Sequence, residues 1–289
     1  MNRLALGTAQ FGLVYGVANR RGQVSLDESR AIVKHARAAG LDTLDTAISY
    51  GNCEQHLGEI GVLQWQVVSK LPAIPESCSD VAAWVSASVA ASLQRLRVNQ
   101  LRGLLLHQPG QLLGVHGEAL YNALRGLKDD GLVQKIGVSI YEPEELNALY
   151  AKFSFDVVQT PFNILDRRIL DSKWLARLSK QGTEVHVRSV FLQGLLLMNP
   201  ADRPKKFNRW QPLWNSWQQW LGDTRLTPLQ ACLNYALAQR EVDRVIVGVD
   251  SLNQLNEILR ATGEELPEVP GELRCNDSDL INPSRWNSF

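Results

Sequence analysis

A closed (β/α)8 barrel, the TIM-barrel class, is what this sequence predicts, on three observations. Short apolar, β-branched runs alternate with longer helical patterns eight times along the chain. The runs are apolar throughout, as strands buried on both faces of a parallel sheet are. The 289 residues contain no linker, and one such barrel takes about 250 residues, so a single domain over residues 1–289 is expected. A doubly wound open sheet is the alternative, but no G-x-G-x-x-G follows any of the runs.

The elements follow in order. "RLALGT" is the first strand. Ser25, with Glu28 three residues on, is a capping box that opens the helix "LDESRAIVKHARAAG", which stops at Gly40. "LDTLDT" is the second strand, followed by a short helix over 54–61. "WQVVSKL" is the third, followed by the alanine-rich helix "DVAAWVSASVAASLQRL". "LRGLLLH" and "GEALYNALRGLKDDG" make the fourth unit, "VQKIGVSI" and "EPEELNALYAKF" the fifth. "FDVVQTPF" and "RRILDSKWLARLSKQG" make the sixth. "EVHVRSV" is the seventh strand, with a long, partly helical connection over 191–226. "RVIVGV" and "SLNQLNEILRAT" complete the set. In the long connection Trp210, Trp214, Trp217 and Trp220 recur at helical spacing, joined by Leu213 and Leu221. The stripe reads as a face packed on the barrel; the other reading is an aromatic platform for substrate. The last segment, from Glu268, reads as a surface tail, with Trp286 placed to cover the barrel mouth.

Composition excludes several classes. Net charge is zero, with no basic or acidic run, which argues against a nucleic-acid partner. No run reaches the ~18 apolar residues of a membrane span, and the start lacks a secretory signal pattern. Cys53, Cys78, Cys232 and Cys275 form no C-x-x-C pair and read as reduced thiols, so a cytoplasmic protein is expected.

Barrel enzymes draw their reacting groups from the C-terminal ends of several strands. Here the second strand ends in Asp45, with Tyr50 in the loop after it, the third in Lys70 and the fourth in His107. Neighbouring strands lie ~4.8 Å apart, so these groups can converge. A Lys70 ammonium would lower the phenol's pKa from ~10. Asp45 would keep Lys70 charged, and neutral His107 would orient a substrate oxygen opposite Tyr50. The set is a general acid aimed at an oxygen that gains negative charge. Singly, each residue also has a structural explanation: a cap, packing, a snorkelling lysine, a core histidine. A metal site is a weaker option, with one histidine and no paired carboxylates.

These residues resemble the aldo-keto reductase family. "LGTAQFG" is similar to its first-strand motif, and "DTAISYGNCEQHLG" (45–58) resembles its D-T-A-x-x-Y-G-x-x-E-x-x-L-G signature. "SKL", "LLLH", "IGVS", "VVQTPFNILDR", "RSVFLQGLL" and "VIVGVDSLNQLNE" follow in the family's order over nearly the whole chain. The resemblance implies hydride transfer between NADP or NAD and a small aldehyde, ketone or sugar, with Asp45, Tyr50, Lys70 and His107 as the catalytic tetrad. It implies that Ser139 and Gln159 hold the nicotinamide amide and that Gly7 and Thr8 are first-strand contacts. Ser189, Phe191 and Gly194 would flank the pyrophosphate, with the stretch from Gly248 through Asp250 and Ser251 to Gln254 near the adenosine. No oligomeric partner is implied. A redox-sensing regulatory subunit on the same scaffold is the alternative, as is a barrel lyase or isomerase without a dinucleotide.

Four departures carry consequences. Ile140 stands where the family has Asn, removing one polar contact to the amide. Arg188 replaces the aromatic residue that stacks on the nicotinamide; its planar guanidinium can stack, or it pairs with an acidic neighbour. Gly248, Asp250 and Gln254 stand where basic residues clamp the 2′-phosphate of NADPH, which hints at NAD. The family's N-terminal hairpin is shortened or absent. The short loop "QPGQLLG" leaves the mouth open, which leans towards sugars.

Overall fold

The computed structural model describes residues 3–263 and 265–288. Its eight strands are all parallel and close in sequence order, β8 pairing back onto β1. The order is β1 (Leu4–Gly7), α1 (Ala9–Gly12), α2 (Leu26–Ala38), β2 (Thr43–Asp45), α3 (Cys53–Ile60), β3 (Gln66–Leu71), α4 (Val81–Leu96), β4 (Gly103–Leu106) and α5 (Gly117–Asp129). It continues with β5 (Ile136–Ser139), α6 (Glu145–Leu149), β6 (Val157–Pro161), α7 (Arg168–Asp171), α8 (Trp174–Lys180) and β7 (Glu184–Arg188). The last elements are α9 (Gln211–Thr224), α10 (Pro228–Ala238), β8 (Arg244–Gly248), α11 (Leu252–Arg260) and α12 (Ser278–Ile281). This is the predicted (β/α)8 barrel. No helix among the described residues is long and apolar enough to cross a membrane, and all four cysteines are free thiols.

Two cores hold it together. The large one lies between strands and helices. The small one, Val68, Leu105 and Val157, fills the barrel interior. Side chains alternate along a strand, so Lys70 and Gln159, two residues beyond Val68 and Val157, share that inner face one layer towards the C-terminal mouth. One layer the other way, the floor is charged. Arg102 and Lys135 both pair with Glu184 at 2.7 Å, and Arg244 reaches Thr43. Burial pushes the Glu184 carboxyl up, but His186, Lys135 and Arg102 together hold it far below the usual range. Arg3, just before β1, donates to the carbonyls of Leu237, Gln239 and Val242.

The predicted elements need several corrections. The helix read through "RRILDSKWLARLSKQG" is two, α7 and α8, broken at Lys173, whose φ is 63°. "EPEELNALYAKF" supplies only the short α6. The Ser25 cap is present, but its partner Glu28 reaches instead to the Leu252 amide. Helix α10 was not foreseen, although a full capping box (Thr227, Gln230) and Pro228 mark its start. The tryptophan stripe is packing: Trp214, Trp217 and Trp220 are buried on α9 and Trp210 sits at its cap. The terminal segment is not a loose surface tail either. Its Leu273, Leu280, Ile281 and Trp286 are buried. Trp286 meets Phe207, in the connection after β7, edge-on at 4.9 Å and donates to the Leu280 carbonyl.

Candidate active site

The register of the strands brings the predicted set together. Asp45 pairs with Val68 across β2 and β3, so the next inward residue on β3, Lys70, lies beside it. The Lys70 Nζ donates to Asp45 Oδ1 at 2.6 Å and to the Thr46 carbonyl at 2.9 Å. The second carboxylate oxygen, Oδ2, accepts from Gln159 Nε2 at 2.6 Å. Gln159 Oε1 in turn accepts from the Ser139 hydroxyl at 3.3 Å. Thr8 ties β1 to the cluster through its hydroxyl on the Asp45 carbonyl, 2.9 Å.

Tyr50 arrives from a turn rather than a strand. Its amide bonds to the Ala47 carbonyl, and Gly51 follows in the left-handed region at φ 54°. The turn packs on α1 so closely that a Cβ at Gly12 would overlap the Tyr50 carbonyl. The half-buried ring ends 5.2 Å from Lys70 Nζ, centroid to nitrogen, and meets the His107 ring nearly edge-on at 5.9 Å. Its hydroxyl makes no hydrogen bond among the described residues. His107 Nδ1 lies 3.2 Å from the Ser49 hydroxyl.

Electrostatics corrects one expectation. Burial and the Asp45 charge push the Tyr50 phenol above its ordinary range, and only Arg188 pulls it down appreciably. The net shift is upward, against the depression expected from Lys70, whose ammonium sits at contact distance from the Asp45 carboxylate. Burial lowers Lys70 itself, against the pull of Asp45. His107 is lowered to about 4 by burial and by the charges of Lys70 and Arg188. The site thus holds a neutral phenol and a neutral imidazole near pH 7.

A groove of about 460 Å³ opens over the mouth, a volume ordinary for a small-molecule site. Asp45 and Tyr50 form part of its wall, with Gly7, Thr8, Arg188, Ser189, Phe191, Gly194, Gly248, Asp250 and Gln254. Lys70, His107, Ser139, Gln159 and Ser251 are not in that wall. Lys70, Ser139 and Gln159 are buried behind Asp45, and Ser251 caps α11. Arg188 pairs with no acid among the described residues. It donates to the Ile140 carbonyl at 2.9 Å and lies 4.5 Å over the Tyr141 ring.

The sequence reading missed the cover of this groove. Tyr15, Asn19 and Arg20, from the loop after β1, line it opposite Gln193, Asn199 and Asp202 after β7. The two loops touch: Gln193 donates to the Tyr15 hydroxyl at 3.3 Å, and Arg20 pairs with Asp202 at 3.0 Å. The one available signal was turn chemistry, since Asn19 folds its loop by accepting from the amides of Arg21 and Gly22.

The wall suits a long ligand that lies against main chain. Ser189, Leu192, Gln193 and Gly194 are all left-handed, a strained arrangement that clusters at ligand sites. A Cβ at Gly194 would press on Ala18, and one at Gly248 on Gln10. At the far end Asp250 Oδ1 is buried with no hydrogen-bond partner among the described residues, an acceptor left for a ligand hydroxyl. The residues therefore fit a dinucleotide.

The sequence model described as "Aldo/keto reductase family" matches residues 3–269. The chain belongs to the aldo/keto reductase family. Among its relatives is an oxidoreductase of Mycobacterium bovis, 27% identical over all of this chain and 93% of that one. The oxidoreductase YqkF of Bacillus subtilis is 25% identical over 62% of this chain, which spans only 60% of YqkF. The L-galactose dehydrogenase of Arabidopsis thaliana is 24% identical over 91% of this chain and 85% of the relative. The holo aldo-keto reductase AKR11C1 of Bacillus halodurans superposes with a TM-score of 0.73 at 21% identity, covering 92% and 88% of the two chains. This aldo/keto reductase is accordingly a carbonyl/alcohol oxidoreductase.

Proposed function

We propose that this aldo/keto reductase interconverts a small aldehyde, ketone or sugar with its alcohol, using NADH or NADPH and Tyr50 as proton donor. The observation that carries this is the Tyr50 hydroxyl, unengaged among the described residues, on the groove wall beside a buried Lys70–Asp45 pair and a neutral His107. The cofactor supplies the hydride. Gly7, Ser189, Phe191, Gly194, Gly248, Asp250 and Gln254 would hold it.

The chain's own residues handle the proton. A Ser49 hydroxyl donating to Nδ1 leaves the His107 Nε2–H to orient the carbonyl oxygen. As that oxygen gains negative charge, the Tyr50 phenol gives it a proton. A phenol held neutral by burial carries its proton at every working pH, and it remains more acidic than the alcohol that the alkoxide becomes on taking that proton. The Arg188 guanidinium favours the phenolate left behind, which recovers its proton from solvent.

A sugar substrate draws support from the L-galactose dehydrogenase relative. A preference for NADH draws support from Asp250, whose unpartnered carboxylate oxygen suits a ribose hydroxyl and repels a 2′-phosphate.

The test is Tyr50→Phe, assayed by absorbance of the reduced cofactor at 340 nm against a panel of aldehydes and sugars. Loss of about 10²–10⁴-fold in kcat, with cofactor affinity nearly unchanged, is expected. Near-full activity would remove Tyr50 from the role.

A further inference from the structure

Gln159 is a fully buried neighbour of the tetrad, and both its amide nitrogen and its amide oxygen are bonded inside the protein. It is 0% exposed. It projects from β6, and its Nε2 reaches Asp45 Oδ2 at the end of β2, 114 residues away in sequence and across the barrel interior. A buried amide costs several kcal/mol of desolvation unless it is bonded, so a leucine would serve better if the position only filled space. Its orientation is settled by its neighbours. A carboxylate can only accept and the Ser139 hydroxyl donates, so the NH₂ must face Asp45.

We propose that Gln159 is a positioning residue for Asp45, and through it for the Lys70 ammonium. Each Asp45 oxygen has one donor at 2.6 Å, Lys70 on Oδ1 and Gln159 on Oδ2. With both oxygens held, the carboxylate cannot rotate away from Lys70. Without Gln159, Oδ2 would be left buried and unbonded, and the carboxylate plane would be free to turn. The resemblance gives Gln159 to the cofactor's amide. Beside that expectation, the contact with Asp45 gives it a second task, serving the proton-handling pair. This rests on the proposed role of the tetrad in carbonyl reduction, but it concerns an electrostatic linkage measurable without turnover.

The test combines Gln159→Met, which keeps the volume and removes the amide, with Gln159→Glu, which sets a second carboxylate beside Asp45. The first readout is the titration of Lys70 by NMR of ¹³C-lysine-labelled protein. The groups acting on the pair there are Tyr50 and Cys53 from the β2–α3 segment, His107 after β4, Arg188 on β7 and Tyr15 after β1. None of these is altered by the substitutions. Loosening Asp45 weakens its hold on the ammonium, so Lys70 in Gln159→Met should lose its proton at a pH at least half a unit lower than in the wild type.

The second readout is the pH profile of kcat. Gln159→Met should lose about 10- to 100-fold, the worth of one hydrogen bond to a charged group. In Gln159→Glu the paired carboxylates retain a proton to higher pH, so the acid limb should move up by a unit or more. A purely structural role would scale activity at all pH values and shift neither titration. Weaker cofactor binding with an unmoved Lys70 titration and an unmoved limb would overturn the proposal and return Gln159 to the cofactor alone. A Lys70 shift in a protein that reduces no carbonyl would uphold the linkage and sink the proposed function. Should Gln159→Met not fold, Gln159→Glu carries both readouts.

Discussion

Replacing Asp45 by Asn tests the pair that organises the site. The amide keeps the shape and removes the charge. Lys70 is almost fully buried and its Nζ sits 2.6 Å from the lost carboxylate. At an effective dielectric of about 20 the attraction removed is about 6 kcal/mol, an upper figure before relaxation. Breaking a buried pair from one side costs about 3–5 kcal/mol. The sign of the pH dependence follows from Lys70, whose folded pKa already lies below its unfolded value because burial disfavours the ammonium. Between those two values the unfolded chain binds the extra proton, so stability falls as pH falls. Asp45→Asn widens that window. The deficit against wild type should therefore be largest near neutrality and shrink as pH rises towards 10.5, the ordinary lysine value. Urea unfolding at pH 7 and pH 9.5, read by tryptophan fluorescence, measures both. A deficit under about 1 kcal/mol at pH 7, or one that grows with pH, would refute the account of Lys70 as a buried ammonium held by Asp45.

Two further outcomes are expected. Since His107 is lowered to about 4, the pH profile of kcat/KM should run flat through 6.5, and a clear break there would show that the imidazole titrates as if solvated. Titration of the purified protein with each reduced cofactor should find NADH bound at least as tightly as NADPH, and Asp250→Ser should improve NADPH by about tenfold; wild-type NADPH binding tenfold tighter than NADH would end the argument from Asp250.

The barrel was legible because most strands are short, largely apolar runs, several of them rich in β-branched residues, and the helices between them carry their own punctuation. The Asp80 cap of α4 is an example, its side chain accepting from the Ala83 amide. What lay hidden was long-range. Nothing near Lys173 marks a left-handed residue that splits one helix into two. The α10 segment was missed although its cap was in plain view, because an apolar run without strong periodicity looks the same on a strand or a buried helix. The terminal segment looked polar, yet its Leu273, Leu280, Ile281 and Trp286 are buried, and its Asp277 and Asp279 pair with Arg209. In the site, strand ends gave Asp45, Lys70 and His107, since period and register decide which side chains share the mouth. The groove's cover, Tyr15 and Arg20 against Gln193 and Asp202, depends on two loops meeting across 178 residues or more, and loop shape is not written in a local pattern.

The Tyr50 environment shows where a local argument about charge fails. A lysine near a phenol suggests a phenolate only if the lysine's field reaches it uncompensated. Here the ammonium touches a carboxylate, and seen from the phenol the pair is nearly neutral, with the Asp45 charge the larger influence. Burial then decides, and it favours the protonated form. In the proposed reaction this arrangement stabilises the donor in its acid state until charge develops on the substrate oxygen. At that moment the Arg188 guanidinium, which no acid compensates among the described residues, is the cation whose field the new phenolate feels. Arg188→Met should therefore slow proton transfer more than it weakens substrate binding. The check is a solvent deuterium isotope effect on kcat, which should rise above the wild-type value; a change confined to KM would place Arg188 in binding instead.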